Sequence, residues 1–247
     1  MPRFNVLGVR VSALSLDHAA RLILSTRGSL QRGYVCLATA NGVIESGHDP
    51  AVMAAFNQSW LTTPDGMPMV WLGKHHGHRG ITRVYGPDLM YAVCSAGRAL
   101  GLKHFLYGGN EGVAQELRDK LKNYFPGIEI VGTFTPPFRE LNADEFRQLQ
   151  GEVARGRPDV IWVGLSSPKQ ELFMAKTWQQ LDAATMIGVG AAFDFLTGRV
   201  KQAPRWMQRS GLEWLYRLGT EPRRLWKRYL VYNPIFAARV AAQLLGR

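Results

Sequence analysis

Short apolar runs alternate along the chain with segments of helical periodicity. The runs are rich in Val, Ile, Leu and aromatic residues and end in small or polar residues, which predicts buried strands. Predicted strands and the helices that follow them cover residues 34–40 and 49–58, 104–109 and 113–125, 160–165 and 169–181, with a last strand run at 185–193. This alternation predicts an α/β fold with a mostly parallel sheet covered by helices on both faces.

The predicted strands run into small or polar residues, and ligands of open α/β sheets bind outside the carboxyl ends of the strands. The alternation stops between Gly198 and Pro204, where a basic and aromatic segment begins. We therefore expect an α/β catalytic domain over residues 1–198 and a C-terminal appendage over residues 199–247.

The appendage is predicted to be helical and amphipathic. Gly211 is expected to divide residues 204–218 into two short helices. Thr220 is the predicted N-cap of the following helix, and Asn233-Pro234 is expected to end that helix. Residues 235–244 then predict another short amphipathic helix.

Positive charge is concentrated in the appendage. Residues 201–247 hold ten Lys or Arg and two Glu, which is eight of the chain's eleven formal net charges, together with three of its seven Trp. This composition suits peripheral contact with an anionic bilayer or binding of phosphate. A helix that packs its aromatic residues on the domain and leaves a basic face in solvent explains the pattern equally well. The longest apolar runs fall short of the roughly 20 residues that cross a bilayer.

One candidate for phosphate binding is the glycine-rich turn Gly108–Gly112, which links a predicted strand to a predicted helix. Its backbone N–H groups and the helix N-terminus could receive a phosphate. The spacing does not match G-x-G-x-x-G, and two glycines at such a turn can equally relieve steric crowding. Both interpretations stay open.

Two further segments carry candidate polar groups. Pro64-Asp65-Gly66 has a favoured β-turn composition, which by itself favours a structural role for the Asp65 carboxylate over that of a general base. Strand alternation would place Thr39 and Asn41 on one side of a strand end, where they could bond a sugar or cap the helix that follows.

Several kinds of site are not expected. The spacing of His75, His76 and His78 matches no standard metal site. The chain has no Walker lysine loop, no H-E-x-x-H, no G-x-S-x-G, no Asp-x-Asp pair and no dinucleotide fingerprint. The phosphates of a nucleotide would therefore be met by backbone dipoles and by Arg or Lys.

A set of separated motifs stands in one order along nearly the whole chain. They are Thr39 and Asn41, Pro64-Asp65-Gly66, Arg83 with Gly86 and Asp88, Tyr107-Gly108-Gly109, Ser167–Glu171, Gly188–Phe195, Gly198, Lys201–Pro204, Gly211–Leu218 and Glu221-Pro222. Together they resemble the WecG/TagA/CpsF family of bacterial glycosyltransferases. Several motifs in one order are much harder to obtain by chance than any single motif.

The resemblance implies inverting, metal-independent transfer of a sugar from a UDP donor to a polyprenyl-diphosphate-linked sugar, with no cofactor. It also implies a Rossmann-like fold of the GT-E type, with an appendage that helps close the active site. The enzyme would be cytoplasmic and peripheral on the inner face of the cell membrane, with the appendage on the anionic surface. Family members transfer N-acetylmannosamine, N-acetylmannosaminuronic acid or glucose for cell-surface polysaccharides, and the shared motifs do not distinguish these donors.

The resemblance also assigns roles to residues, and it reverses the structural interpretation of Asp65, which becomes the expected base. The expected sugar-binding residues are Thr39, Asn41, Arg83 and Gln170, the nucleotide-binding residues Gly108, Gly109 and Asp194, and the residues facing the lipid diphosphate Arg217, Arg224, Lys227 and Arg228. Arg83 and Gln170 are expected to line the same pocket, and no metal ligand is expected.

The competing interpretation is a basic nucleic-acid-binding protein, because a pI near 10 and an aromatic tail also suit RNA or single-stranded DNA. No recognisable nucleic-acid module supports it, so nucleic acid is not an expected partner. An exposed aromatic appendage needs a membrane or another protein surface to cover it, which leaves a homo-oligomer open.

Overall fold

The structure is a computed structural model that describes residues 1–29 and 31–246. Its strands are β1 Arg3–Val6, β2 Val9–Ser12, β3 Gly33–Ala38, β4 Leu61–Pro64, β5 Lys103–Gly108, β6 Glu129–Phe134, β7 Val160–Gly164 and β8 Thr185–Gly188. Six of them form a wholly parallel sheet in the order β4-β3-β8-β7-β5-β6. The strands β1 and β2 form a separate antiparallel hairpin.

The helices are α1 Leu16–Leu24, α2 Ala40–Ser46, α3 Pro50–Gln58, α4 Met67–His75, α5 Gly86–Gly97, α6 Val113–Tyr124, α7 Ala143–Gly156, α8 Lys169–Thr177, α9 Ala192–Thr197, α10 Arg205–Arg209, α11 Glu213–Thr220, α12 Pro222–Trp226 and α13 Asn233–Leu245. A 3₁₀ turn, Arg98–Leu100, follows α5, and a π-helical turn, Lys227–Tyr232, joins α12 to α13.

Both faces of the parallel sheet are buried. Along β3, Val35 and Leu37 point into one apolar core and Tyr34 and Cys36 into the other, as strand periodicity requires. The first core is closed by α1, α5, α6 and α9, and the second by α2, α3, α4, α7, α8 and α13 together with the hairpin. The predicted α/β fold with a parallel sheet and helices on both faces is therefore confirmed.

The sequence pattern located the inner strands better than the outer ones. The run at 185–193 was expected to be one strand, but β8 ends at Gly188 and α9 begins at Ala192 after a turn at Gly190, whose φ is +55°. Strand β6 lay outside the predicted pairs because it is an edge strand whose side chains are half-buried or exposed, so it lacks a continuous apolar run.

In the appendage, Gly211 separates α10 from α11 as predicted, with a φ of +78°. The N-cap prediction for Thr220 is wrong. Thr220 is the last residue of α11, where its hydroxyl donates to the carbonyl oxygen of Arg217 at 3.1 Å, and Glu221 precedes α12 instead. The Thr220 hydroxyl is bonded to the helix that ends there, so it does not cap α12.

The helix end predicted at Asn233-Pro234 is also wrong. Helical conformation runs from Pro222 to Leu245, and Pro234 lies in the first turn of α13. Proline interrupts a regular α-helix because it lacks an N–H and its ring meets the carbonyl one turn earlier. Here a wider π-helical turn, Lys227–Tyr232, comes just before Pro234, and this turn accommodates a residue that has no N–H to donate.

The appendage packs on the domain at a few points. Phe236 is buried in the second core, and Gln243 bonds the turn of the hairpin, accepting from the N–H of Leu7 at 2.8 Å and donating to the carbonyl of Asn5 at 3.0 Å. No helix within residues 1–29 and 31–246 combines the length and the hydropathy needed to cross a bilayer. The division at residues 198 and 199 stays a prediction.

Candidate active site

A cleft of about 1690 Å³ opens at the carboxyl ends of the parallel strands. Its walls include residues that directly follow β3, β4, β5, β7 and β8, and the C-terminal helices close one side. Pockets for a single small ligand usually measure roughly 300–1,000 Å³. The cleft therefore has room for two substrates at once.

Most of the predicted site residues meet in this cleft. Those that line it are Thr39, Asn41, Asp65, Gly109, Gln170, Asp194, Arg217, Arg224, Lys227 and Arg228. Gly108 and Arg83 are not among the lining residues. The sequence motifs are far apart along the chain, so it is the parallel sheet that brings them to one edge.

Asp65 lies in the turn between β4 and α4. Its N–H donates to the carbonyl of Ala38 at 3.0 Å, which ties the turn to the neighbouring strand, and Gly66 has a φ of +109° that disfavours any side chain there. The Asp65 side chain is 17% exposed. Within the described residues its carboxylate bonds no backbone group of its own turn, so the β-turn role does not account for it.

Burial raises the pKa of the Asp65 carboxyl from 3.8 to about 6, against the opposing effect of the Arg83 cation and with a further rise from the Glu213 carboxylate. A carboxylate with a pKa near 6 is mostly ionised at neutral pH and is a stronger base than a free aspartate. These properties suit a general base.

Arg83 was expected to line the cleft, but it contacts Asp65 instead. Its Nε lies 3.5 Å from Oδ1 of Asp65, and its Nη2 donates to Oε2 of Glu213 at 2.5 Å. The guanidinium rests 4.1 Å above the ring centre of Tyr85. The carboxylate of Glu213 and the aromatic face together hold the guanidinium away from the cleft.

Thr39 and Asn41 line the cleft, but a helix places them there and not the end of a strand, as was predicted. Strand β3 ends at Ala38, so strand alternation does not apply to them, and both belong to the start of α2. The hydroxyl of Thr39 accepts from the N–H of Gly42 at 3.1 Å, which confirms the capping alternative. Asn41 is 7% exposed and lines the cleft from the first turn of the helix.

Gln170 connects two walls of the cleft. Its side chain accepts from the N–H of Gly190 at 3.0 Å and donates to the carboxylate of Glu171 at 2.9 Å. Gln170 is 4% exposed and Glu171 is fully buried, and burial raises the pKa of Glu171. The amide thereby fixes the turn between β8 and α9 against the start of α8.

Steric crowding explains Gly108. An added Cβ there would lie 2.6 Å from the carbonyl oxygen of Gly164, and the φ of Gly108 is +122°. Gly109, with a φ of +75°, lines the cleft together with Asn110 and Glu111 at the turn before α6. The steric explanation therefore holds for Gly108, whereas nucleotide binding stays a prediction for both glycines.

Cations form the side of the cleft contributed by the appendage. Arg217, Arg224, Lys227 and Arg228 all line it, and Arg217 is 12% exposed with its guanidinium 5.2 Å from the ring centre of Phe195. Glu221 pairs with Arg224 at 2.5 Å and with Arg217 at 3.5 Å.

Asp194 lies in the first turn of α9 and lines the same part of the cleft. Burial raises the pKa of Asp194, and the Arg224 cation opposes that rise. This part of the cleft is therefore predominantly positive, although the carboxylates of Asp194 and Glu221 lie close to its cations.

The side chains at the site that sequence reasoning missed include Tyr85 and Glu213. Tyr85 lines the cleft below Arg83, and Glu213 pairs with Arg83. Both stand inside motifs that the sequence displays, Tyr85 next to Gly86 and Glu213 within Gly211–Leu218, so the signal was present.

Some buried polar atoms here are suited to a ligand. Within the described residues, the hydroxyl of Tyr85, the hydroxyl of Thr135 and Nε of Arg217 have no hydrogen-bond partner. Because buried polar atoms are nearly always bonded, these atoms can receive polar groups of a substrate. Among residues 1–29 and 31–246, no three His, Cys, Asp or Glu side chains are grouped as they would be around a metal ion. Metal independence stays a prediction.

Comparisons with known proteins identify the family of the chain. The model of the glycosyl transferase WecG/TagA/CpsF family matches residues 4–247. An N-acetylglucosaminyldiphosphoundecaprenol N-acetyl-beta-D-mannosaminyltransferase of Bacillus spizizenii strain W23 is 33% identical over 196 residues, covering 78% of this chain and 74% of that protein. A protein of the same name from Bacillus subtilis strain 168 is 32% identical over 167 residues, covering 68% of this chain and 63% of that protein.

Proposed function

The chain belongs to the WecG/TagA/CpsF family of glycosyltransferases, and on that premise we propose that it moves a sugar from a UDP donor to an undecaprenyl-diphosphate-linked N-acetylglucosamine. The names of the two relatives describe transfer of N-acetylmannosamine to such an acceptor, which makes N-acetylmannosamine the first donor to test. N-acetylmannosaminuronic acid and glucose are the other donors of the family resemblance. The product would serve cell-surface polysaccharide biosynthesis.

One observation carries the proposal. A carboxylate with a raised pKa, Asp65, shares one cleft with four cations, Arg217, Arg224, Lys227 and Arg228. Transfer from a sugar diphosphate needs a base for the attacking hydroxyl and positive charge for the departing diphosphate. Both requirements are met by side chains of this cleft.

The reaction follows from this arrangement. A hydroxyl of the acceptor sugar gives its proton to Asp65 while its oxygen bonds the anomeric carbon of the donor. The bond from that carbon to the diphosphate oxygen breaks on the opposite face, so the configuration inverts and UDP leaves with the electron pair. A single carboxylate is enough for this displacement.

The other predicted site residues have roles that fit the proposed transfer. Thr39, Asn41 and Gln170 offer hydroxyl and amide groups to the sugars near Asp65. Asp194 and the turn at Gly109 would hold the nucleoside, and the cations of the appendage would meet either diphosphate. Arg83 would act through Asp65 because it contacts that carboxylate and does not line the cleft.

The appendage would hold the enzyme on the inner face of the cell membrane, where its lipid-linked acceptor lies. Trp206, Trp226 and Leu230 are all more than half exposed, and Arg209 and Arg223 are exposed as well. Exposed aromatic and basic side chains suit the interface of an anionic bilayer. The proposed contacts with diphosphate and membrane account for the cations, so a nucleic-acid partner has no separate support.

The test uses purified protein, anionic liposomes and a short-chain polyprenyl-diphosphate N-acetylglucosamine, with a panel of UDP-sugars and with or without chelator. UDP release and the mass of the lipid product are followed together. We expect a mass gain with one donor that chelator leaves unchanged.

Asp65→Asn tests the base in the same assay. Loss of the base should lower kcat by roughly 10²- to 10⁴-fold. Asp144→Asn is the matched control, because Asp144 is exposed on α7 and the change is chemically the same. Turnover of Asp65→Asn near that of the parent would remove Asp65 from the mechanism, and no product with any donor would refute the proposed acceptor.

A further inference from the structure

We propose that Glu213, which the C-terminal segment contributes, is a positioning residue for the Asp65 base. Glu213 holds the Arg83 guanidinium so that Arg83 stays beside Asp65 but does not bind the Asp65 carboxylate through two parallel hydrogen bonds. Docking of α11 thereby sets the proton affinity of the base. This inference rests on the proposed function, because it takes Asp65 as the base.

The three side chains have unequal contacts. Nη2 of Arg83 lies 2.5 Å from Glu213, whereas its Nε lies 3.5 Å from Asp65 and has no hydrogen-bond partner among the described residues. Arginine and carboxylate frequently bind through two parallel hydrogen bonds. Glu213 is the group that occupies Arg83, so the Asp65 carboxylate keeps its oxygens available for the acceptor proton.

Burial makes these charges interact strongly. The side chains of Asp65, Arg83 and Glu213 are 17%, 17% and 13% exposed, so water screens them little. The groups that act on the charge of Asp65 are Arg83 and Arg228, which lower its pKa, and Glu213, which raises it. Tyr85 lies below the guanidinium with its own pKa raised by burial, so it stays neutral.

A merely structural role for Glu213 would need only a hydrogen-bond acceptor. Glutamine has nearly the same shape as glutamate and can also accept from Nη2 of Arg83, but it carries no charge. Glu213→Gln therefore separates the two roles. If the charge is what matters, Arg83 turns toward Asp65 and the pKa of the Asp65 carboxyl falls.

The first readout does not depend on activity. Carboxyl carbons labelled with carbon-13 are titrated by NMR in the full-length protein, and the Asp65 resonance is assigned by its loss in Asp65→Asn. We expect the Asp65 pKa to fall by about one unit in Glu213→Gln and to stay near its parent value in Glu213→Asp. Glu152→Gln, a charge change at a partly exposed position of α7, should leave the Asp65 pKa unchanged.

The second readout is the pH dependence of turnover. In Glu213→Gln the acidic limb should move to lower pH, and kcat at neutral pH should fall by at most about tenfold with KM little changed, because a weaker base accepts the proton less readily. Glu213→Asp should recover most of this loss.

Hydrogen exchange of α11, the helix that begins at Glu213, separates positioning from docking. A lower Asp65 pKa with α11 still protected supports the proposal. A lower pKa with α11 unprotected overturns it, because mere exposure of Asp65 would then explain the change, and an unchanged Asp65 pKa in Glu213→Gln also overturns it. If Asp65→Asn keeps its turnover, the proposed function fails first, whereas an inactive Asp65→Asn with an unchanged pKa in Glu213→Gln refutes only the role of Glu213.

Discussion

The part of the chain before residue 199 and the part after it are held in place in different ways. The first part surrounds its sheet with two apolar cores, whereas the described residues of the second part contribute only Ala203, Gln208, Leu225 and Phe236 as buried side chains. Hydrophobic burial stabilises the first part, and a few anchors and polar contacts hold the second. The chemistry is divided in the same way, since the candidate base lies on the first part and the four cations on the second.

This division indicates that the appendage detaches under milder conditions than those that unfold the sheet. Fully burying one large apolar side chain is worth roughly 1.5–3 kcal/mol. The appendage has few such side chains, so its detachment should cost much less than unfolding of the sheet. On the proposed function the site is complete only while the appendage is docked, and its activity should therefore be lost before the fold is.

Removal of the appendage should have the largest effect and tests most strongly whether the two parts are stabilised separately. A chain ending at Val200 should keep a cooperative unfolding transition but lose turnover and liposome binding, because the cations and the exposed Trp side chains are gone. Thermal unfolding, the transfer assay and liposome sedimentation measure the three properties. Undiminished transfer to a lipid-linked acceptor would contradict the proposal that the appendage completes the site.

A milder change weakens only the anchor of α13. Phe236→Ala should destabilise docking by about 3–5 kcal/mol, the usual cost of emptying a buried phenylalanine site. Protease sensitivity and hydrogen exchange over α13 should rise, while exchange in β3 and β7 stays slow. Leu230→Ala is the control, because Leu230 is 56% exposed, and it should change exchange little. Equal loss of protection in β3 would show that the two parts unfold together.

The smallest effect concerns the base itself. Its pKa is raised from 3.8 to about 6 in the folded protein, so the folded state disfavours ionised Asp65. The stability contributed by protonated Asp65 is present below about pH 4 and is lost as the pH rises through 6.

Asp65→Asn, which cannot ionise, should therefore be more stable than the parent at pH 7 by at most about 3 kcal/mol, and the advantage should vanish near pH 4. Denaturant unfolding across this pH range measures the difference. A variant less stable than the parent at pH 7 would mean that the ion pair with Arg83 outweighs burial.

The sequence was sufficient for the fold class because inner parallel strands are buried on both faces and read as continuous apolar runs. Strand β7, Val160–Gly164, is buried along almost its whole length, whereas the edge strand β6 is not. Only the tertiary structure shows that α12 continues through a π-helical turn past Pro234, because local preference favours a helix end there.

For the site, ten of the twelve residues predicted from the sequence line the cleft, but the sequence did not predict their contacts. Arg83 stands in a motif, yet its pairing with Glu213 joins positions 130 residues apart. Thr39 shows the same limit, since a polar residue after a strand can face a cleft or cap a helix, and in the structure it caps α2 and also lines the cleft.

The bonds between Gln243 and the turn of the N-terminal hairpin have a consequence for synthesis on the ribosome. Leu7 and Gln243 are 236 residues apart, so at about 5–20 residues per second the hairpin waits roughly 10–50 s for its partner to be translated. The segment that carries Glu213 and the cations is also translated late. The nascent chain thus acquires its candidate base early and the cationic wall of its cleft late, so the two sides of the cleft are joined only after the appendage has been translated.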